Sequence, residues 1–105
     1  MKNYSLKKEI GKITKRLIQF YKPQKIVIFG SSATGKRTGD IDMLIVKETK
    51  ENFFNRMYKV RQLADADKPF DPIVLTPGEV RQRLKMGDFF IKDILTKGKL
   101  LYERC

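Results

Sequence analysis

The sequence predicts an α+β fold, a small mixed β-sheet with helices packed on it. Three observations carry this. Short apolar runs at Lys25–Phe29, Asp40–Val46 and Phe70–Leu75 are bounded by glycine, proline and polar residues, as strands are. Apolar residues at helical spacing lie before, between and after them. Only the glycine-rich stretch 30–39 separates the first two runs, so strand follows strand directly and a repeating βαβ architecture is excluded.

The elements follow in order. Leu6, Ile10, Ile13, Leu17 and Phe20 recur at helical spacing, with Ser5 as the expected N-cap and Pro23 as the stop. Lys8, Lys12 and Lys15 fall on the opposite face, making residues 1–22 an amphipathic N-terminal helix ahead of a core at 25–104. KIVIF at Lys25–Phe29 reads as a buried strand stopped by Gly30. GSSATGKRTG, residues 30–39, reads as a loop with at most one helical turn, and Asp40–Val46 as the second strand. Thr49 is the expected cap of a helix placing Phe53, Met57, Val60 and Ala64 in the core. Pro72 cannot donate to a ladder, so the strand Phe70–Leu75 is expected at a sheet edge or with an irregular start. Thr76-Pro77-Gly78-Glu79 is a capping box with proline at the first helical position, a strong helix start. A last helix runs from Asp88 to Lys97, closed by Gly98, with Leu100–Tyr102 as a final short strand.

At 105 residues the chain reads as a single domain, 1–105. No apolar run approaches the length needed to cross a bilayer, and the start MKNYSLKKEI has no secretory core, so the expected compartment is the cytoplasm. The lone cysteine, Cys105, has no internal disulfide partner. Histidine is absent, which excludes Ser-His-Asp and Cys-His catalysis and His-dependent zinc sites. Chemistry must run on carboxylates, lysines, hydroxyls and bound metal ions. The formal charge is +11, and residues 1–25, with eight Lys/Arg against Glu9, hold most of it. Such a surface suits nucleotide phosphates, nucleic acid or an acidic protein, and equally a solvated lysine-rich helix face.

Gly30-x4-Gly35-Lys36 matches most of a P-loop. Position 37 is arginine, though, where a hydroxyl is needed for Mg²⁺, and the apolar run after Gly39 leaves no room for the required helix. The better reading takes in Asp40 and Asp42. Spaced i, i+2 at the start of a strand, both carboxylates project from one sheet face. Adjacent like charges on an apolar strand are costly without a cation between them. Asp71 opens a neighbouring strand and offers a third carboxylate. Carboxylates on adjoining strands suit hard Mg²⁺ ions shared with substrate phosphates, and hence metal-assisted phosphoryl transfer.

The run IVIFGSSATGKRTGDIDMLIV resembles the signature of the DNA polymerase beta-like nucleotidyltransferases, above all their minimal stand-alone group, the MNT domains. In that pattern a strand ends in Gly-Ser, here Gly30-Ser31, and Asp-x-Asp opens the next strand, here Asp40-Ile41-Asp42. FDPIVLTPGEV resembles the segment that bears the family's third carboxylate, which assigns that role to Asp71. KGKLLYER is similar to the usual MNT ending. The arginines that many members carry after Gly-Ser are replaced by Ser32 and Thr34, which leaves phosphate contacts to Lys36 and Arg37.

The resemblance implies a polymerase beta-like fold. It implies two Mg²⁺ ions held by Asp40, Asp42 and Asp71, with Gly30, Ser31, Lys36 and Arg37 around an NTP. It further implies transfer of a nucleotidyl group, usually AMP from ATP, to a hydroxyl on a HEPN-domain partner, as an antitoxin of a toxin–antitoxin pair. The sheet, helices and loop take up nearly all 105 residues, so positioning of the acceptor is expected from that partner. Two other readings stand beside it: a protein-binding antitoxin with little or no catalysis, and a basic nucleic-acid-binding module. The latter has no RNP-type aromatic pattern or recognition helix in its favour.

Overall fold

In the computed structural model, residues 6–34 and 40–104 are described, Ser31 and Thr34 by backbone alone. The expected cap Ser5, together with Lys36, Arg37 and Cys105, lies outside these residues.

The first helix, α1 (Leu6–Phe20), buries Ile13 and Leu17 on its apolar stripe. Phe20, expected at the end of that stripe, is 51% exposed, and the Arg16 guanidinium lies 5.3 Å from its ring centre. Tyr21 enters the core instead, because Lys22 takes a left-handed φ of 55° and turns the chain immediately after it. Glu9, among apolar residues on the same helix, is fully buried. Its carboxylate accepts from the Asp67 backbone N–H and faces Lys12 at 3.5 Å. Lys12 is therefore not on the solvent face. It is half-buried and donates to the Asp65 carbonyl (2.7 Å) and to Asp67 (3.0 Å).

β1 (Lys25–Phe29) leads into a 3₁₀ turn at Gly30–Thr34, and β2 is Ile41–Val46, one residue shorter than expected because Asp40 precedes the ladder. α2 (Phe53–Ala64) is capped by Asn52, whose side chain accepts from the Asn55 N–H; Thr49 instead accepts from Glu51 in the preceding turn. The core face of α2 also departs from expectation. Arg56, Val60 and Ala64 are buried, whereas Phe53 is 40% exposed and Met57 only partly covered. Burial of Arg56 is supported by four acceptors: the Glu51 carbonyl (2.8 Å), the Val74 carbonyl (3.2 Å) and both Glu79 oxygens (2.7 and 3.3 Å).

β3 (Phe70–Leu75) precedes α3 (Pro77–Lys85), which starts on the expected Thr76–Glu79 capping box. α4 (Phe89–Lys97), capped by Asp88, leads through Gly98 into β4 (Lys99–Glu103). The sheet is mixed, in the order β3-β2-β1-β4: β1 is antiparallel to β2 and β4, and β3 is parallel to β2. Pro72 does sit on an edge strand.

Alternation along β2 divides the sheet into two faces. Ile41, Met43 and Ile45 join Ile26, Ile28, Val74, Ile13 and Leu17 in the larger core beneath α1 and α2. Leu44 and Val46 join Val27, Leu75, Ile91 and Ile94 beneath α4. The second face carries the candidate site, at the end where these apolar rows stop.

Candidate active site

Asp42 stands on the second face, one alternation before Leu44. Asp71 is its register partner across the parallel β2–β3 pair, so both carboxylates leave the same face side by side. Asp40 lies two residues before Asp42, just ahead of β2, and is exposed. Both neighbours act on Asp42. Partial burial pushes the Asp42 carboxyl above the usual aspartate range, and the negative charges of Asp71 and Asp40 push it the same way.

Gly30 closes the other side. Its φ is +70°, a conformation that side chains avoid, and a Cβ built on it would stand 2.7 Å from Asp42 Oδ2. Glycine thus lets the chain turn and lets the carboxylate lie against the backbone. Ser32 is buried in the 3₁₀ turn: its hydroxyl donates to the Phe29 carbonyl (2.9 Å) and accepts from the Asp42 N–H (3.3 Å). It ties the loop to the strand that carries the acid. Ser31 lies in the same turn, and Lys36 and Arg37 in the undescribed part of the loop.

Arg61 also enters the site, with no signal in the sequence to announce it. From α2 it donates to the Phe70 carbonyl at the free edge of β3 (2.8 Å), and its second nitrogen lies 3.5 Å from Asp71 Oδ1. It offsets part of the negative charge beside Asp42. Like charges at this spacing repel, and among the described residues no group of three acidic side chains stands arranged to hold a metal ion. The oxygens of Asp42 and Asp71 on adjoining strands, with Asp40 just ahead of β2, are hard and anionic, the donor type that suits Mg²⁺ shared with phosphate oxygens.

A strand, a Gly-Ser turn, and aspartates paired across two adjoining strands of a mixed sheet backed by helices on both faces define a nucleotidyl-transfer class of domain. The chain belongs to the polymerase beta nucleotidyltransferase family, whose description "Polymerase beta, Nucleotidyltransferase" matches residues 11–105. Among solved structures it is similar to a candidate nucleotidyltransferase from Sulfolobus solfataricus, with 30% identity over 94% of this chain and 80% of that one, at a TM-score of 0.60. It also shares the fold of a chain in a mutant of the toxin–antitoxin MntA-HpeT, with 24% identity, 90% and 72% coverage, and a TM-score of 0.54. No curated protein matches it. Among the described residues no helix is long and apolar enough to cross a membrane.

Proposed function

We propose that this chain transfers a nucleoside monophosphate, AMP from ATP, to a hydroxyl on a partner protein of HEPN type, and acts as the antitoxin of that pair. The observation that carries the reading is the Asp42–Asp71 register pair, with Asp40 beside it and Gly30 pressed against the Asp42 carboxylate. In this reading Asp40, Asp42 and Asp71 hold Mg²⁺, and Gly30, Ser31, Lys36 and Arg37 receive the triphosphate. Bound Mg²⁺ would supply the positive charge that neutralises the phosphates and steadies the transition state. The chain's own part is to fix its carboxylates at one end of the sheet, beside the Gly-Ser turn that would face the phosphate oxygens. The bond formed joins the acceptor oxygen to the α-phosphorus as the hydroxyl releases its proton to solvent; the bond broken is that to the β-phosphate, and pyrophosphate leaves. The toxin–antitoxin nature of MntA-HpeT supports the partner class.

The 3.5 Å ion pair between Arg61 and Asp71 favours a second reading, in which the domain binds its partner with little turnover. One experiment separates the two. ATP labelled at the α-phosphate is incubated with the purified chain, alone and with the protein of the adjacent reading frame. Label on the partner supports transfer. A stable complex without label supports binding alone, and efficient transfer to free nucleotide or RNA by the isolated chain contradicts both.

A further inference from the structure

Phe29 is the last residue of β1 and the direct cross-strand partner of Asp42. In an antiparallel pair such residues share one face, with Cβ atoms about 4.5–5.5 Å apart. The Phe29 ring therefore stands beside the Asp42 carboxylate, on the second face. Against it lies Phe90, edge to face, with ring centres 5.8 Å apart and an interplanar angle of 87°. Phe90 is 53% exposed, an unusual position for a ring already packed at one edge. Its position is set by more than that contact. Asp88 caps α4 by accepting from the Phe90 and Ile91 N–H groups at 2.9 and 3.2 Å, and Arg83 holds Asp88 at 3.2 Å. The backbone beneath the ring is thus fixed from two sides, and a half-exposed aromatic ring packs on the cross-strand neighbour of Asp42.

We propose that Phe90, seated on Phe29, is the platform on which the nucleobase of the bound nucleotide stacks. This rests on reading Asp40, Asp42 and Asp71 as the metal–triphosphate site. In a nucleoside triphosphate a single ribose separates the reacting α-phosphate from the base, and here a single packed ring separates the Asp42 carboxylate from Phe90. Stacking on an aromatic face needs no hydrogen-bond readout, so the platform retains any base and favours purines through their larger area. Phe90 is therefore a binding residue that selects a nucleotide over bare polyphosphate. A partner side chain on the same ring is the competing occupant, but it has no comparable tie to the Asp42 neighbourhood.

The test compares Mg·ATP with Mg·tripolyphosphate, which keeps the phosphates and lacks the base, by titration calorimetry on wild type and Phe90→Ala. The expected result is a loss of roughly 5- to 100-fold in ATP affinity with tripolyphosphate affinity unchanged. The chain contains no tryptophan, so Phe90→Trp introduces a single indole that can be excited selectively over the tyrosines. Its fluorescence should be quenched by Mg·ATP and not by Mg·tripolyphosphate, and this readout stands even if Phe90→Ala folds poorly. Equal ATP affinity in wild type and Phe90→Ala, an equal loss for both ligands, or a Phe90→Trp signal blind to ATP would overturn the platform. If wild type binds neither ligand, the metal–triphosphate site itself fails and the platform with it.

Discussion

Replacing Asp42 with asparagine should make the metal-free protein more stable, the reverse of what most substitutions on a central strand do. Asp42 lies partly desolvated between Asp71, its register partner, and Asp40, and all three influences disfavour its charge. A carboxyl raised in the folded state contributes stability that is intact below the unfolded aspartate pKa and lost as pH climbs through the raised value. At pH 7 the wild type carries the whole penalty. Asparagine keeps the volume and removes the charge, and the Ser32 contact survives because it uses the backbone N–H of residue 42. Solvent screening keeps the gain at the low end of that seen for relieved functional sites, about 0.5–1 kcal/mol, or about 2–8 °C in Tm for a domain of this size. Thermal unfolding followed by circular dichroism should show the gain at pH 7 and its disappearance near pH 3. Mg²⁺ with ATP should then reverse the order, since ligand at 100 times Kd adds about 2.7 kcal/mol to wild type alone. An Asp42→Asn protein less stable than wild type at pH 7 without metal would refute the reasoning.

Other outcomes follow from named contacts. Arg56→Ala strands the Glu51 and Val74 carbonyls and frees Glu79, and should cost about 2–4 kcal/mol in urea unfolding. Glu79→Gln should cost stability at pH 7 but not in acid: hydrogen bonding to Arg56 lowers the Glu79 carboxyl, so its contribution is present above the unfolded glutamate pKa and lost as pH falls through the lowered one. Gly98→Ala should destabilise by about 1–3 kcal/mol or more, because its Cβ would run into the Ile94 carbonyl and stand 2.9 Å from the Ile28 carbonyl, backbone atoms that cannot swing aside. Gly30→Ala should abolish Mg·ATP binding while leaving a folded circular dichroism spectrum.

What could be read from the sequence was local. The Thr76–Glu79 box, the β-branched strands and the Asp40–Asp42 spacing are patterns within a few residues, and the structure builds each element from them. What could not be read depends on partners far along the chain. Arg56 looks like a surface residue until the Val74 carbonyl and Glu79, 18 and 23 residues on, form a buried socket for it. Phe20 and Tyr21 exchange roles because of one left-handed residue, Lys22, which helical spacing does not register. In the site, the strand runs placed Asp42 and Asp71 on neighbouring strands. Their side-by-side register, and the arrival of Arg61 and Phe90 from separate helices, are set by how α2 and α4 pack on the sheet.

The central claim is that the aspartates bind metal and nucleotide together. Titration calorimetry with Mg·ATP on wild type and on the Asp40→Asn/Asp42→Asn double variant tests it most directly, with circular dichroism confirming that both are folded. The account predicts binding to wild type that vanishes when EDTA removes the metal, and none to the variant. Equal affinity of the two proteins for Mg·ATP would contradict it.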